Sequence, residues 1–227
     1  MLAERELLRW TFVNLSPAIG LSGVAVAAIS GTLEAKNNRM DIFGAIVVAI
    51  ATALGGGTVR DLLLQHDPVF WIADDAPLIV TGVIAIITFI VASSPGASFQ
   101  RALLVADAAA LALFTVLGTE KALNAHAAPL VALVMGVITG VVGGILRDIL
   151  CNQIPFVLRR DIYATASIAG AALFLLLQRL RLSEEVASLS CICVVFTIRI
   201  AVLRWKLTLP NSLKAPPLPL TDDTNGL

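Results

Sequence analysis

Residues 54–63 read LGGGTVRDLL, and residues 141–150 read VVGGILRDIL. The same glycine cluster and the same Arg-Asp pair stand twice, each time inside an apolar stretch of membrane-spanning length. A charged arginine is costly to place there, so its repetition marks where the chain works: Arg60 with Asp61, and Arg147 with Asp148.

Around these stretches the composition excludes a water-soluble domain. Of 227 residues, 58% are hydrophobic and 14% charged, which leaves too little polar surface to face water. Seven apolar runs, at 13–33, 42–64, 78–91, 102–119, 130–150, 162–177 and 186–203, approach the ~20 residues that a helix needs to cross hydrocarbon. The third and sixth are short. None alternates with the two-residue period of a membrane barrel, so the expected fold class is an all-α polytopic membrane protein with seven transmembrane helices. Residues 1–208 are expected to form one transmembrane domain. The first run lacks the basic head and cleavage site of a secretory signal and is read as retained. Residues 209–227, with Pro210, Pro216, Pro217 and Pro219 and the polar end TDDTNGL, are expected to be a disordered cytoplasmic tail.

Arg60 and Arg147 lie 87 positions apart. The same shift, carried along without a gap, pairs Gly31 with Gly118, Thr32 with Thr119, Asn37 with Asn124, and Thr52 with Thr139. It also pairs Gly56 with Gly143, Gly57 with Gly144, Asp61 with Asp148, Pro68 with Pro155, and Asp74 with Asp161. Each unit holds three runs, an odd number, so the second must enter the membrane from the opposite side. The result is an inverted repeat, with units at about 13–92 and 100–178 and a seventh helix at about 185–204. Orientation follows the basic residues outside the runs. Lys36, Arg39, Arg101, Arg159, Arg160, Arg204, Lys206 and Lys214 fall on one side; Arg5, Arg9, Lys121, Arg179 and Arg181 fall on the other. The majority marks the inside, so the N-terminus is expected outside and the C-terminus inside. Trp10, Trp71 and Trp205 fall just beyond run ends, where amphipathic rings prefer to sit.

The glycines weaken their helices by roughly 1 kcal/mol each relative to alanine. Two uses are open: a kink at Gly55, Gly56 and Gly57, or close helix packing, the latter suiting the four-residue spacing of Gly136, Gly140 and Gly144. For the triple glycine a bend is favoured, because packing alone does not need three adjacent positions. Arg60 and Asp61 project back over the bare glycine face. In a straight helix from Asp41, Arg60 would lie roughly 28 Å along the axis, near the membrane surface. Both arginines could then snorkel to opposite interfaces and pair with Asp61 and Asp148, or a bend could draw both pairs inward. Asp107, Thr52, Thr58, Thr139, Thr32 and Thr119 could offer oxygens to a passing cation. The threonines could equally bond their own backbone four residues back, and Asp107 could pair with an arginine.

GGGTVRDLLL followed by Pro68 and Trp71, the DIFG at 41–44, and the second GG..RD followed by Pro155 resemble the prokaryotic trimeric intracellular cation (TRIC) channels. The same domain is also known as a bacterial glycine transporter domain. The resemblance implies a seven-helix protomer in a homotrimer, with an hourglass pore inside each protomer lined by the second and fifth membrane helices. Kinks are implied at Gly55, Gly56 and Gly57 in one repeat and at Gly143 and Gly144 in the other, where Val142 interrupts the triple glycine.

No nucleophile with its base, no metal-ligand cluster and no phosphate-cradling loop after a strand occurs in the sequence, so an enzyme is not expected. No cofactor is expected, and Cys151, Cys191 and Cys193 read as apolar packing. Zero formal charge gives no argument for nucleic acid. The expected partners are potassium or other monovalent cations, further copies of the chain, and membrane lipids in a prokaryotic inner membrane. A cation channel is the first reading, with Arg60 and Arg147 paired so that their charge does not repel the ion. The alternative is a carrier for a small zwitterion such as glycine, whose carboxylate an arginine would take. A structural or lipid-binding protein without flux would leave the duplicated charged motif unexplained.

Overall fold

The computed structural model describes residues 2–92, 97–159 and 162–205, with side chains described from residue 17 onward except at 97 and 159. Arg160, Asp161, Lys206, Lys214 and the tail 209–227 lie outside the described residues, as do the side chains of Glu4, Arg5, Glu6, Arg9 and Trp10. The pairing of Asp74 with Asp161 and the disorder of the tail therefore concern residues outside the description.

Among the described residues all regular structure is helical. In chain order it is α1 (Leu2–Asn37), α2 (Ile42–Leu63), the single-turn α3 (Phe70–Ala73), α4 (Ala76–Val91), α5 (Ala97–Asn124), α6 (Pro129–Leu150), the single-turn α7 (Phe156–Arg159), α8 (Ala164–Arg179) and α9 (Glu184–Trp205). Five stretches are long and apolar enough to cross a membrane: Pro17–Asn37, Ile42–Leu63, Ser98–Asn124, Pro129–Leu150 and Glu184–Trp205. Ala76–Val91 and Ala164–Arg179 are apolar but shorter. The seven expected runs thus correspond to seven helices. Two differences stand out. α1 and α5 extend beyond the runs at 13–33 and 102–119 at both ends, and the turns α3 and α7 after Pro68 and Pro155 were not foreseen from hydropathy, because four residues carry no periodicity.

The repeat is written into the helix ends. Gln65 and Asn152 follow α2 and α6 with positive φ, and Arg39 and His126 do the same after α1 and α5. Each pair keeps the 87-residue register. After α2 the N–H of His66 bonds the Asp61 carbonyl and that of Gln65 bonds Leu62; after α6, Gln153 bonds Asp148 and Asn152 bonds Ile149. These are matched Schellman caps that satisfy the last carbonyls of both motif helices.

α5 is the central helix: 72% of its apolar window is buried inside the protein, against 33% for α9. It packs on α1 and α6, α2 packs on α6, and α8 and α9 pack on each other and on α5. The core is built largely of alanine and valine, including Ala27, Ala28, Ala49, Ala53, Ala112 and Val116, and such small side chains let backbones approach where no hydrophobic effect drives helices together. Lys36 ties α1 to α4 by donating to the Phe89 and Ala92 carbonyls at 2.7 and 2.6 Å, so a cation sits on the negative end of α4. Outward-facing Val47, Ile79, Ile87, Ile90, Leu130 and Leu189 are exposed apolar residues suited to lipid or a neighbouring protomer.

Candidate functional site

The two motif helices cross at their glycines. A Cβ on Gly56 of α2 would run into the Thr139 carbonyl of α6, and a Cβ on Gly143 of α6 would run into the Thr52 carbonyl of α2. Because 52 pairs with 139 and 56 with 143 in the repeat register, this contact is reciprocal, and a local pseudo-twofold axis runs between α2 and α6 there. Both helices are uninterrupted through the motif, so no break occurs. The triple glycine has three separate neighbours: Gly55 faces the Leu146 side chain, Gly56 the α6 backbone, and Gly57 the Phe70 ring. Packing therefore does account for three adjacent positions, contrary to the sequence argument, because successive residues point about 100° apart around a helix.

One turn beyond the crossing the same polar assembly is built twice. Arg60 Nε donates to Asp61 Oδ1 at 2.7 Å, the Phe70 N–H donates to Asp61 Oδ2 at 2.9 Å, and the guanidinium lies 5.6 Å from the Phe70 ring centre. Arg147 Nε donates to Asp148 Oδ1 at 2.8 Å, the Phe156 N–H donates to Asp148 Oδ2 at 2.8 Å, and the guanidinium lies 5.0 Å from the Phe156 ring. The single-turn helices α3 and α7 thus have a purpose: each delivers a backbone donor and an aromatic face to its Arg-Asp pair. Arg60 is 4% exposed and Arg147 1%. Both arginines are buried within the protein, where pairing neutralises them.

Beyond this shared assembly the two sites diverge. Around Arg147, Nη1 donates to Asp107 Oδ1 and to Ser30 Oγ, both at 2.7 Å, and the Tyr163 hydroxyl lies 3.2 Å from the same Asp107 oxygen. Arg199 of α9 reaches Asp107 Oδ2 with Nη2 at 3.3 Å, and its guanidinium stacks 4.3 Å from the centre of the Tyr163 ring. Around Arg60 the places of Asp107, Tyr163 and Ser30 are held by Gly20, Ala76 and Leu117 in the repeat register. The two sides also differ in open space. A cavity of about 270 Å³ lies beside Arg60, Gly20, Phe114, Leu117 and Lys121, whereas the corresponding cavity beside Arg147, Asp107, Ser30 and Tyr163 measures about 10 Å³. Phe114 of α5 lines both.

The expected oxygen donors fall into place differently. Thr52, Thr58, Thr139, Thr32 and Thr119 each donate to the carbonyl four residues back, at 2.6 to 2.9 Å. Their protons are thereby committed to the backbone, and their oxygens stay available as acceptors. Thr52 lines the smaller cavity, while the Thr58 oxygen accepts from Trp71 Nε1 at 2.9 Å. Trp71, half-buried, is thereby tied back onto α2. Gly144 sits beside the Tyr163 hydroxyl and Arg147 Nη2. Ser30, Phe114, Tyr163 and Arg199 were missed by sequence reasoning. Arg199 carried the same signal that singled out Arg60, an arginine within an apolar run, and lacked only a repeat partner.

Comparison with known proteins agrees with this geometry. The sequence profile of the family described as "Glycine transporter" matches the chain twice, over residues 18–93 and 104–179. The inner membrane protein YadS of Escherichia coli K12, of the UPF0126 group, is 45% identical over 85% of this chain and 94% of its own length. A UPF0126 membrane protein of Vibrio cholerae is 43% identical over 85% of this chain and 81% of its own. Among solved structures, the TRIC trimeric intracellular cation channel orthologue from Rhodobacter sphaeroides superimposes with a TM-score of 0.81 at 39% identity, covering 85% of this chain and 99% of that one. A prokaryotic TRIC channel solved in 0.5 M KCl gives 0.80 at 26% identity, covering 86% and 98%. With five helices of membrane-crossing length and apolarity, these relatives make the chain a multi-pass inner membrane protein. The chain belongs to the Glycine transporter family and has the fold of the prokaryotic TRIC channels.

Proposed function

We propose that the chain is a monovalent cation channel, with potassium as its ion, whose path runs inside each protomer of a homotrimer. Its structural similarity to TRIC cation channels supports a cation channel. The observation that carries the finer reading is the pair of cavities flanking the reciprocal α2–α6 crossing. Each is faced by an arginine already neutralised by the next residue, and both meet at Phe114. In this reading α2 and α6 line the path, Phe114 narrows it, and the threonine oxygens, with Asp107, replace part of the ion's water. Bending at Gly55, Gly56 and Gly57 and at Gly143 and Gly144 would be the movement that joins the cavities. The proposed topology has seven spans, two inverted three-helix units and one further helix, with the N-terminus outside and the C-terminus inside.

A second reading rests on the larger cavity. Its 270 Å³ would admit a small zwitterion, with Arg60 and Lys121 facing a carboxylate. Vesicles reconstituted with the purified protein distinguish the two. Voltage-driven potassium uptake without saturable glycine counterflow is the outcome expected of a channel; counterflow without potassium uptake would establish the carrier.

A further inference from the structure

We infer that Arg199 of α9 is a positioning residue that holds the Arg147 half of the path shut by occupying Asp107. The inference rests on the channel reading. Its starting point is the asymmetry between two otherwise matching half-sites. The Arg-Asp-Phe assembly is the same in both, yet one half keeps a cavity of about 270 Å³ and the other about 10 Å³. The side chains that make the difference converge on one carboxylate. Asp107 Oδ1 takes Arg147 and Tyr163, and Asp107 Oδ2 takes Arg199.

Charge explains why the fourth member matters. Without α9 the Arg147 half would hold one arginine and two carboxylates, Asp107 and Asp148, a net negative pocket suited to a cation. Arg199 brings the balance to neutral and lies across the Tyr163 ring. It also donates to the Ile162 carbonyl at 3.3 Å, which fixes the guanidinium just ahead of α8. All four charged groups are at most 3% exposed, so their mutual attraction is little screened. The seventh helix, which the duplication does not require, thereby supplies the charge that balances Asp107, in whose place the first half-site has Gly20.

The closed arrangement is not fully satisfied. Arg147 Nη2 and Arg199 Nε are buried without a hydrogen-bond partner among the described residues, and orphaned buried donors are unfavourable. Water entering this half would satisfy both, so separating Arg199 from Asp107 wets the half-site and frees a carboxylate oxygen for the ion in one movement.

The test is single-channel and macroscopic potassium current from trimers of wild type, Arg199→Gln, Arg199→Lys, Asp107→Asn and Tyr163→Phe in planar bilayers. Arg199→Gln is expected to raise open probability several-fold, Arg199→Lys to restore wild-type behaviour, and Asp107→Asn to lower current below wild type. A merely structural role predicts loss in Arg199→Gln and Asp107→Asn alike, in step with thermal stability. If Arg199→Gln does not fold, Tyr163→Phe is decisive: it keeps the ring and removes one bond to Asp107, so a raised open probability supports the latch and an unchanged one overturns it. Wild-type current with no rise in Arg199→Gln overturns the latch alone. Absence of current from wild type and every variant overturns the channel reading and the latch with it.

Discussion

Arg60 and Arg147 make the same bond, Nε to the Oδ1 of the following aspartate, at 2.7 and 2.8 Å. They differ in what else holds them. Arg147 also bonds Asp107, whereas Asp61 is the carboxylate bonded to Arg60. Removing one partner of a buried pair costs about 3–5 kcal/mol when the other charge is left uncompensated. Asp61→Asn is therefore expected to lower the melting temperature in detergent more than Asp148→Asn, because Arg147 keeps its bond to Asp107 whereas Asp61 is the carboxylate that the described residues pair with Arg60. Equal losses would mean that the two sites are not distinguished by Asp107.

The helix crossing gives a second prediction. A methyl on Gly56 or Gly143 meets a facing backbone carbonyl, which cannot move aside as a side chain would. Gly56→Ala and Gly143→Ala are each expected to destabilise by about 1–3 kcal/mol, the usual cost of overpacking. Gly82 has open space where its Cβ would stand, so Gly82→Ala is expected to be neutral or slightly stabilising, since alanine favours the helix. Thermal denaturation of the three variants checks the contrast.

The cavity beside Arg60 can be filled without touching the charge pairs. Nothing lies within 4 Å of a Cβ built on Gly20, and Gly20 lines the 270 Å³ cavity. Gly20→Leu is expected to leave the melting temperature near that of wild type while cutting potassium flux into vesicles several-fold. Unchanged flux would place the path elsewhere.

Phe114 lines both cavities and is 8% exposed. Phe114→Ala would remove a buried aromatic at a cost of about 3–5 kcal/mol and would join the two spaces. Its trimers are expected to carry larger unitary current than wild type, measured in symmetric potassium salt, despite their lower stability.

Much of this architecture was legible in the sequence. The all-helical membrane architecture, the 87-residue register and the pairing of Arg60 with Asp61 and Arg147 with Asp148 follow from apolar run length, residues matched at a fixed shift and the cost of an unpaired charge in hydrocarbon. Three things were not legible. The turns α3 and α7 are too short to leave a hydropathy pattern, though they hold the phenylalanines that complete each pair. The use of the triple glycine depends on what stands opposite each position, and Leu146, the Thr139 carbonyl and Phe70 come from three places in the chain. The asymmetry between the half-sites is a matter of which residues fill equivalent places. Gly20 against Asp107 and Ala76 against Tyr163 are unremarked differences until the fold brings them to the same arginine.

A cation path inside each protomer is checked by single-channel recording of the purified wild-type protein across a potassium gradient. Discrete current steps that reverse near the potassium equilibrium potential are predicted. A protein that forms intact trimers in the bilayer and passes no such current, while exchanging glycine across the same membrane, would contradict it.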